Sequence, residues 1–275
     1  AVGACLRRAG VPFILIEREE KIGNSWRGHY DRLHLHTARV HSSLPWLPLP
    51  RHYPRYPSRE QVVAYLEAYA EYFELEPKLG EAVTEARYRN AAWEVGTSRG
   101  SYRARHLVVA TGFTGEPHRP EWPGMSGFGG TILHSSQYRN GSAFEGKRVL
   151  VVGFGNSGGE IAIDLWEHGA GPSLAVRSGV NLIPRELFGI PILTFGILTR
   201  RLPTRLADAV MVPVLRLAMG DFSRYGLRRA PPGPLTHMRR AGRVPFIDVG
   251  TLDLIKKGVV TVRPGVESFT GSGVV

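Results

Sequence analysis

The stretch Lys147-Arg-Val-Leu-Val-Val-Gly-Phe-Gly-Asn-Ser-Gly-Gly-Glu-Ile-Ala162 decides the fold class of this chain. An apolar run typical of a buried strand leads directly into Gly153-x-Gly155-x-x-Gly158, and a helical pattern follows. In a dinucleotide-binding turn the first glycine allows the tight turn, the second leaves room for a pyrophosphate, and the third lets helix and strand pack closely. The segment therefore predicts a Rossmann-like α/β domain. Its predicted dinucleotide-binding residues are Gly153, Gly155, Asn156, Ser157 and Gly158.

The next strand, Ser173-Leu-Ala-Val-Arg177-Ser178, predicts which dinucleotide is bound. An acidic residue at this strand end suits the ribose 2′-hydroxyl of NAD, whereas a cation suits the 2′-phosphate of NADP. Arg177 stands there, and its guanidinium can contact a phosphate with two hydrogen bonds. We predict NADPH, with Arg177 and Ser178 in the site. The alternative is an exposed strand-end arginine with no ligand.

Composition is that of an ordinary globular protein, with 275 residues, 43% hydrophobic and 21% charged. A net charge of +11 would suit nucleic acid, but the arginine pairs are scattered and no aromatic and basic signature of an RNA-binding module accompanies them. We therefore predict no nucleic-acid partner. The single cysteine, Cys5, excludes an internal disulfide and a Cys-x-x-Cys dithiol, so a reducing cytoplasm is the predicted compartment. Its apolar helical surroundings predict a buried thiol.

The most apolar region runs from Leu187 to Met219, and prolines and charged residues interrupt it. A membrane-spanning helix needs about 20 consecutive apolar residues, so the sequence predicts no transmembrane segment. We expect helices that pack at a domain interface or over a substrate entrance. A peripheral membrane contact is the alternative.

The beginning of the chain suggests a second dinucleotide unit. A helical run that ends at Gly10 is followed by a predicted strand, Val11 to Glu17. This order follows the glycine turn of a first dinucleotide unit, with Glu17 placed to bind ribose hydroxyls, so we expect the parent protein to carry a preceding strand and glycine loop. The alternative is a genuine terminus with an ordinary α/β hairpin. Tyr102 to Gly112 is predicted as a buried strand that ends in small residues close to a ligand.

Further motifs carry a resemblance to a known family. Phe128-x-Gly130-x-x-x-His134-x-x-x-Tyr138 matches the fingerprint of the flavin-containing monooxygenases, and the chain resembles their YUCCA branch of indole-3-pyruvate monooxygenases. The other matching segments are Ile22 to Trp26, Tyr30 to His36, Tyr56 to Arg59, Leu107 to Gly112, Val176 to Ser178, Leu182 to Arg185, Tyr225 to Arg228 and Gly233 to Leu235.

This resemblance implies two Rossmann-like domains: an FAD domain over 1–142, an inserted NADPH domain over 143–260, and a return to the FAD domain over 261–275. Family members continue beyond this point, so the predicted activity is that of the parent protein, and FAD retention by this chain is left open. For Trp26 and Leu33 the alternative is a role in the apolar core. The FAD-site residues implied by the resemblance are Glu17, Trp26, Arg32, Leu33, Val83, Thr111 and Gly112.

The resemblance also implies the chemistry. NADPH reduces FAD, and O₂ then forms a C4a-peroxyflavin that oxygenates a small organic substrate. Asn156 is the catalytic candidate beside it, and His36, at a position where many relatives have Asn, is a weaker one. His134 has a structural role in the fingerprint loop. Because His34, His36 and His41 lack an accompanying carboxylate pattern, no metal is predicted.

The predicted substrate is a 2-oxo acid such as indole-3-pyruvate, used with O₂. An amine or sulfide N/S-oxygenase is the nearest alternative. A non-oxygenating NADPH:flavin reductase and an inactive nucleotide-binding remnant are the others. A homo-oligomer is compatible with the sequence.

Overall fold

The computed structural model describes residues 1–112, 115–242 and 244–275. The chain divides into two compact units. The first unit comprises Ala1–His29 and Arg39–His118, and the second comprises Tyr30–Ala38 and Arg119–Val275. Both units combine helices and strands, so the predicted α/β class is confirmed in this general form. The predicted domain boundaries at 142 and 260 stay predictions.

The first unit carries a long helix and an antiparallel sheet, in which β2 (Ala92–Thr97) lies between β1 (Val83–Arg89) and β3 (Gly100–Ala104). The long helix starts at a capping box, in which Ser58 Oγ accepts from Gln61 N (3.3 Å) and Ser58 N donates to Gln61 Oε1 (2.9 Å). Its buried face carries Tyr65 and Tyr69, and the Tyr69 ring packs on Phe73 at 4.8 Å. The elements are α1 (Val2–Arg8), α2 (Asn24–Arg27), α3 (Arg59–Tyr72), β1 (Val83–Arg89), β2 (Ala92–Thr97) and β3 (Gly100–Ala104).

Two expectations for the first residues are wrong. The predicted strand from Val11 to Glu17 is reduced to an isolated parallel bridge between Ile16 and Lys78. Lys78 N donates to Leu15 O at 2.8 Å and Glu17 N donates to Lys78 O at 3.0 Å, so pairing is limited to one short contact. Cys5 is exposed rather than buried, because α1 buries the neighbouring Ala4 and the next residue turns about 100° away from it.

The predicted buried strand from Tyr102 to Gly112 is also wrong. β3 ends at Ala104, and no strand among the described residues pairs with 105–112. Val108 and Val109 are 58% and 74% exposed. A strand is defined by its partner, and an apolar run cannot supply that partner by itself.

The second unit is built around the predicted glycine turn. β4 (Arg148–Val152) and β5 (Gly171–Ala175) are parallel neighbours joined through α4 (Asn156–Glu167). β10 (Thr261–Arg263) adds in parallel on the other side of β5, giving the order β10–β5–β4. This β–α–β arrangement is the dinucleotide-binding form that Lys147 to Ala162 predicts. The elements are β4 (Arg148–Val152), α4 (Asn156–Glu167), β5 (Gly171–Ala175), β6 (Leu182–Pro184), β7 (Glu186–Leu187), β8 (Ile190–Pro191), α5 (Ile192–Leu198), α6 (Thr204–Met219), α7 (Pro234–Ala241), β9 (Phe246–Asp248), α8 (Thr251–Lys256) and β10 (Thr261–Arg263).

The core of the second unit lies between α4, the parallel sheet and α8. Leu174 of β5 is fully buried, and Ala162, Phe246, Leu252 and Val260 pack in the same cluster. Each large apolar side chain buried in this way stabilises the fold by about 1.5–3 kcal/mol. The core therefore fixes α4 on the sheet and so fixes the glycine turn in front of it.

The apolar region from Leu187 to Met219 forms the β7–β8 hairpin, α5 and α6. The Asp208 carboxylate of α6 accepts from Leu235 N (3.0 Å) and Thr236 N (2.8 Å) in the first turn of α7, which holds the two helices together. Within the described ranges, no helix has both the length and the apolar character that crossing a membrane requires.

Candidate functional site

The glycine turn has the geometry that close approach of a phosphate requires. Gly153 has φ +103°, which favours glycine, and a Cβ at Gly158 would lie 2.3 Å from the Gly153 carbonyl oxygen. A Cβ at Gly155 would meet nothing within 4 Å. Gly153 and Gly158 are therefore required by the fold, whereas the space at Gly155 is open to a ligand in front of α4.

The first turn of α4 is held by β9. Asn156 Oδ1 accepts from Ile247 N at 2.7 Å, and a Cβ at Gly159 would lie 2.3 Å from the Phe246 ring. The second glycine of the Gly158-Gly159 pair thus allows an aromatic ring to pack on the helix. Asn156, the predicted catalytic residue, uses its side-chain carbonyl to position this turn.

Arg177 and Ser178 lie just beyond the carboxyl end of β5, and both are exposed. A Cβ at Gly265 would stand 3.1 Å from Arg177 Cβ, so the glycine leaves room for the base of the arginine side chain. Arg177 thus lies at the strand end, close to the glycine turn whose Gly153 N donates to Ala175 O at 2.9 Å. Its contact with a 2′-phosphate stays a prediction.

A buried polar cluster lies behind the glycine turn. Tyr30 is buried, accepts from the Ser157 hydroxyl and donates to the Glu160 carboxylate. Glu160, also buried, binds His36 Nε2 as well. Burial, followed by the negative charge of Glu160, raises the pKa of Tyr30 above its ordinary value of 10. Ser157 thereby contacts Tyr30, and Tyr30 in turn connects it to Glu160 and His36, a chain of contacts that the sequence did not indicate.

Two more acids continue along the same face of α4. Asp164 accepts from the Tyr138 hydroxyl at 2.5 Å, and Glu167 binds Arg32 Nη1 at 2.7 and 3.0 Å. Glu160, Asp164 and Glu167 follow the i, i+4, i+7 spacing of one helical face. Sequence reasoning missed this acidic face, although acids at helical spacing within a helix otherwise apolar were the signal for it.

The fingerprint residues have structural contacts in the second unit. Phe128 packs edge-on against Phe269 at 5.4 Å, and a Cβ at Gly130 would clash with the Phe128 ring. His134 Nδ1 accepts from Ser136 N at 3.1 Å and caps a short 3₁₀ turn. Tyr138 ends this segment on Asp164. The structural role predicted for His134 agrees with this capping contact.

The predicted FAD-site residues are divided between the two units. In the first unit, Glu81 N donates to Glu17 O at 3.0 Å, which places Glu17 close to the start of β1 at Val83. Trp26 is half-buried, whereas Thr111 and Gly112 are exposed. In the second unit, Leu33 packs on the apolar cluster around Tyr30 and Tyr138, and Arg32 binds Glu167. Binding of FAD by these residues stays a prediction.

The three histidines considered as metal ligands do not form a site. Within residues 1–112, 115–242 and 244–275, no three His, Cys, Asp or Glu side chains converge as metal ligands. His34 Nδ1 instead contacts Arg32 O at 2.7 Å, and His36 binds Glu160.

Comparison with known proteins identifies the family. Residues 1–181 match the family model described as pyridine nucleotide-disulphide oxidoreductase. The chain is 46% identical over 281 residues to indole-3-pyruvate monooxygenase YUCCA1 of Oryza sativa subsp. japonica, covering 100% of this chain and 69% of that protein. It is 40% identical to the probable indole-3-pyruvate monooxygenase YUCCA3 of Arabidopsis thaliana, covering 98% and 64%. The chain belongs to the YUCCA-like flavin-containing monooxygenases.

Solved flavin monooxygenases share the fold. The flavin-containing monooxygenase from Stenotrophomonas maltophilia has a TM-score of 0.73 at 23% identity, with 99% of this chain and 68% of that chain covered. Cyclohexanone monooxygenase from Rhodococcus sp. Phi1 bound to NADP⁺ has a TM-score of 0.73 at 18% identity, with 99% and 64% covered. At these identities the likeness shows the dinucleotide-binding fold alone.

Several sequence predictions are confirmed at the level of the family. The resemblance to flavin-containing monooxygenases, the enzyme class, and FAD and NADPH as cofactors all agree with the comparisons. The chain spans about two thirds of the length of the curated relatives it matches. The site residues and the domain boundaries stay predictions.

Proposed function

We propose that this flavin-containing monooxygenase oxygenates a small 2-oxo acid such as indole-3-pyruvate, using NADPH, FAD and O₂. The observation that carries the proposal is the 46% identity to a curated indole-3-pyruvate monooxygenase over the whole chain. The overall reaction consumes the 2-oxo acid, O₂, NADPH and a proton, and releases CO₂, water, NADP⁺ and an acid one carbon shorter. We also propose the two Rossmann-like domains that the resemblance implies, with the NADPH domain inserted in the FAD domain.

The residues around the glycine turn fit NADPH. The open space at Gly155 and the start of α4 would receive the pyrophosphate, and exposed Arg177 and Ser178 would hold the 2′-phosphate. Ser157, which contacts the buried Tyr30, would orient the nucleotide at the first turn of the helix. Asn156, whose side-chain carbonyl accepts from Ile247 N, would hold in place the turn that receives the nucleotide.

The residues predicted for FAD fit a nucleotide in part. Gly112 has φ +75° and a Cβ there would meet nothing within 4 Å, so its backbone is open to a ligand. In the first unit, Glu17 would accept the ribose hydroxyls, and Trp26, Val83 and Thr111 are the other residues proposed to contact FAD. In the second unit, Arg32 and Leu33 stay FAD candidates by resemblance alone. When bound, FAD supplies the O₂ activation that amino-acid side chains cannot provide.

The side chains of this chain would bind and orient the cofactors and the substrate, and they would exclude water from them. His36 is committed to Glu160 and acts as a positioning residue behind Ser157 rather than at the reacting atoms. An acid–base pair of side chains is not required by the proposed reaction. The cytoplasm is the proposed compartment and O₂ and a small molecule are the proposed partners.

Substitution of Arg177 tests the NADPH site. Arg177→Ala should raise the Kd for NADPH at least tenfold and leave the Kd for NADH within about twofold, because only NADPH carries the 2′-phosphate. Arg148→Ala, which removes an exposed arginine at the start of β4, is the matched control and should change neither. Equal losses for both nucleotides on Arg177→Ala would refute the assignment.

Product analysis separates the proposed activity from its alternatives. The purified flavoprotein is supplied with NADPH, O₂ and indole-3-pyruvate, and CO₂, shortened acid and H₂O₂ are measured. Shortened acid in proportion to NADPH consumed supports the proposal. H₂O₂ in place of product indicates a non-oxygenating reductase. Oxygenation of an amine or sulfide without oxygenation of the 2-oxo acid indicates an N/S-oxygenase, and NADPH binding by a colourless protein indicates a remnant.

A further inference from the structure

Helix α6 exposes an apolar stripe to solvent. Leu206, Val210 and Leu217 are 53%, 65% and 86% exposed, and Pro213 is exposed between them. The four positions follow the i, i+4, i+7, i+11 spacing of one helical face. The opposite face, with Ala207, Leu215 and Met219, is buried in the second unit. α6 is therefore apolar on both sides, and only one of the two sides is covered by the fold.

Arginines flank this exposed stripe. Arg205 and Arg216 stand next to Leu206 and Leu217 in sequence, are exposed, and share one edge of the exposed face. Asp208, the acid of α6, is buried and engaged with the start of α7. The exposed face of the helix consequently presents apolar and positively charged side chains together.

The same character continues around the turn before α6. Leu198, the last residue of α5, and Leu202 in the turn are exposed near Arg200 and Arg201. Arg239 of α7 donates to Arg200 O at 3.4 Å, which brings the basic end of α7 to this turn. We define the α6 surface as Leu198, Arg200, Arg201, Leu202, Arg205, Leu206, Val210, Arg216 and Leu217.

We propose that the α6 surface binds reversibly to an anionic lipid bilayer, with α6 lying in the plane of the membrane interface. A helix of 16 residues is about 24 Å long, which suits an interfacial position parallel to the bilayer. Exposed leucines would enter the boundary of the acyl chains while the arginines contact anionic headgroups.

The positive charge and apolar character of the α6 surface favour an anionic bilayer over a second copy of the chain and over nucleic acid. A second copy of the chain seated on the same surface would bring two sets of arginines together, and like charges in an interface disfavour association. Nucleic acid would neutralise the arginines but leave the leucines in water. An anionic bilayer satisfies both the charged and the apolar side chains. The proposal is independent of the monooxygenase activity.

Vesicle co-sedimentation tests the proposal on the 275-residue chain. The vesicles contain phosphatidylcholine alone or with about 30 mol % phosphatidylserine, and binding is measured at low and high salt. We expect binding to the anionic vesicles that weakens as salt rises. Arg205→Gln with Arg216→Gln should lower the partition coefficient about fivefold for each arginine. Leu206→Glu with Leu217→Glu should abolish binding.

Matched controls are Arg105→Gln and Val40→Glu, which change exposed side chains of the first unit and should bind as the unmodified chain does. Circular dichroism and the urea midpoint establish that each variant folds. Absence of binding to anionic vesicles, or binding that both α6 variants retain, overturns the proposal. A concentration-dependent dimer that Leu206→Glu with Leu217→Glu dissolves, without vesicle binding, overturns it in favour of a second copy.

Discussion

At the scale of single residues, Gly155 and Gly158 serve one turn for different reasons. A methyl group at Gly158 collides with the backbone of Gly153, whereas one at Gly155 enters open space. Gly158→Ala should therefore destabilise the fold by about 1–3 kcal/mol. Gly155→Ala should leave the urea midpoint nearly unchanged but weaken NADPH binding at least tenfold. Urea denaturation and NADPH titration of both variants check the contrast, and equal stability losses would contradict it.

A second prediction at the scale of single residues concerns the hydroxyl of Tyr138. Its hydrogen bond to Asp164 is buried, and Tyr138→Phe leaves a buried carboxylate short of one donor. We expect a loss of about 1–3 kcal/mol in the free energy of unfolding. Tyr72→Phe, on a ring that is mostly exposed, is the matched control and should stay within about 0.5 kcal/mol. A neutral Tyr138→Phe variant would show that the hydrogen bond adds nothing to stability.

The roles of the glycines were predictable from sequence because a turn is set by neighbouring residues. The partners of Arg32 and His36 were not. Each binds an acid of α4 more than 120 residues away, Glu167 and Glu160. No periodicity in the sequence links such positions, and only the folded chain brings them together.

At the scale of elements, α4 is the part of the second unit to which distant segments attach. His36 and Tyr30 bind Glu160. The losses of unfolding free energy caused by substitutions at the two ends of one contact should therefore not be additive. A double-mutant cycle with His36→Ala and Glu160→Gln should give a coupling energy of about 0.5–3 kcal/mol in unfolding experiments. Pairing His36→Ala with Glu94→Gln, on an exposed strand position, is the control and should give additive changes. Additive changes in the first cycle would contradict the contact.

The elements themselves were predicted unevenly. The β4 strand, the glycine turn and α4 were correct because each is encoded by a local pattern of apolar residues and glycines. The strands predicted at 11–17 and 102–112 were wrong, because an apolar run becomes a strand only where another strand pairs with it. The sequence indicates that a segment is apolar and can be extended. It does not indicate which other segment, if any, pairs with it in a sheet.

At the scale of the whole molecule, buried tyrosines predict sensitivity to alkaline pH. Burial and the carboxylates of Glu160 and Asp164 raise the pKa values of Tyr30 and Tyr138 above 10. In the unfolded chain these phenols ionise near pH 10, so their contribution to stability is complete below about pH 10 and is lost as pH rises further. The urea midpoint should fall above pH 10.

The variant Tyr30→Phe with Tyr138→Phe isolates this contribution. It is less stable at neutral pH, but its urea midpoint should fall less steeply above pH 10 because the two ionisations are gone. The control variant, Tyr72→Phe with Tyr88→Phe, changes two exposed rings. Its urea midpoint should fall above pH 10 as steeply as that of the unmodified chain. Parallel curves for all three proteins would refute the effect.

The contact between the segment around Phe128 and the segment around Phe269 has a consequence for folding during biosynthesis. Gly129 N donates to Gly271 O at 2.9 Å, and Phe269 N donates to Pro123 O at 2.8 Å. A ribosome that adds about 5–20 residues per second needs on the order of 10 s to travel from one segment to the other. During that interval the emerging Trp122 and Phe128 rings have not met the partner ring they pack on. Chaperones that recognise exposed aromatic side chains should therefore meet the nascent chain at this segment.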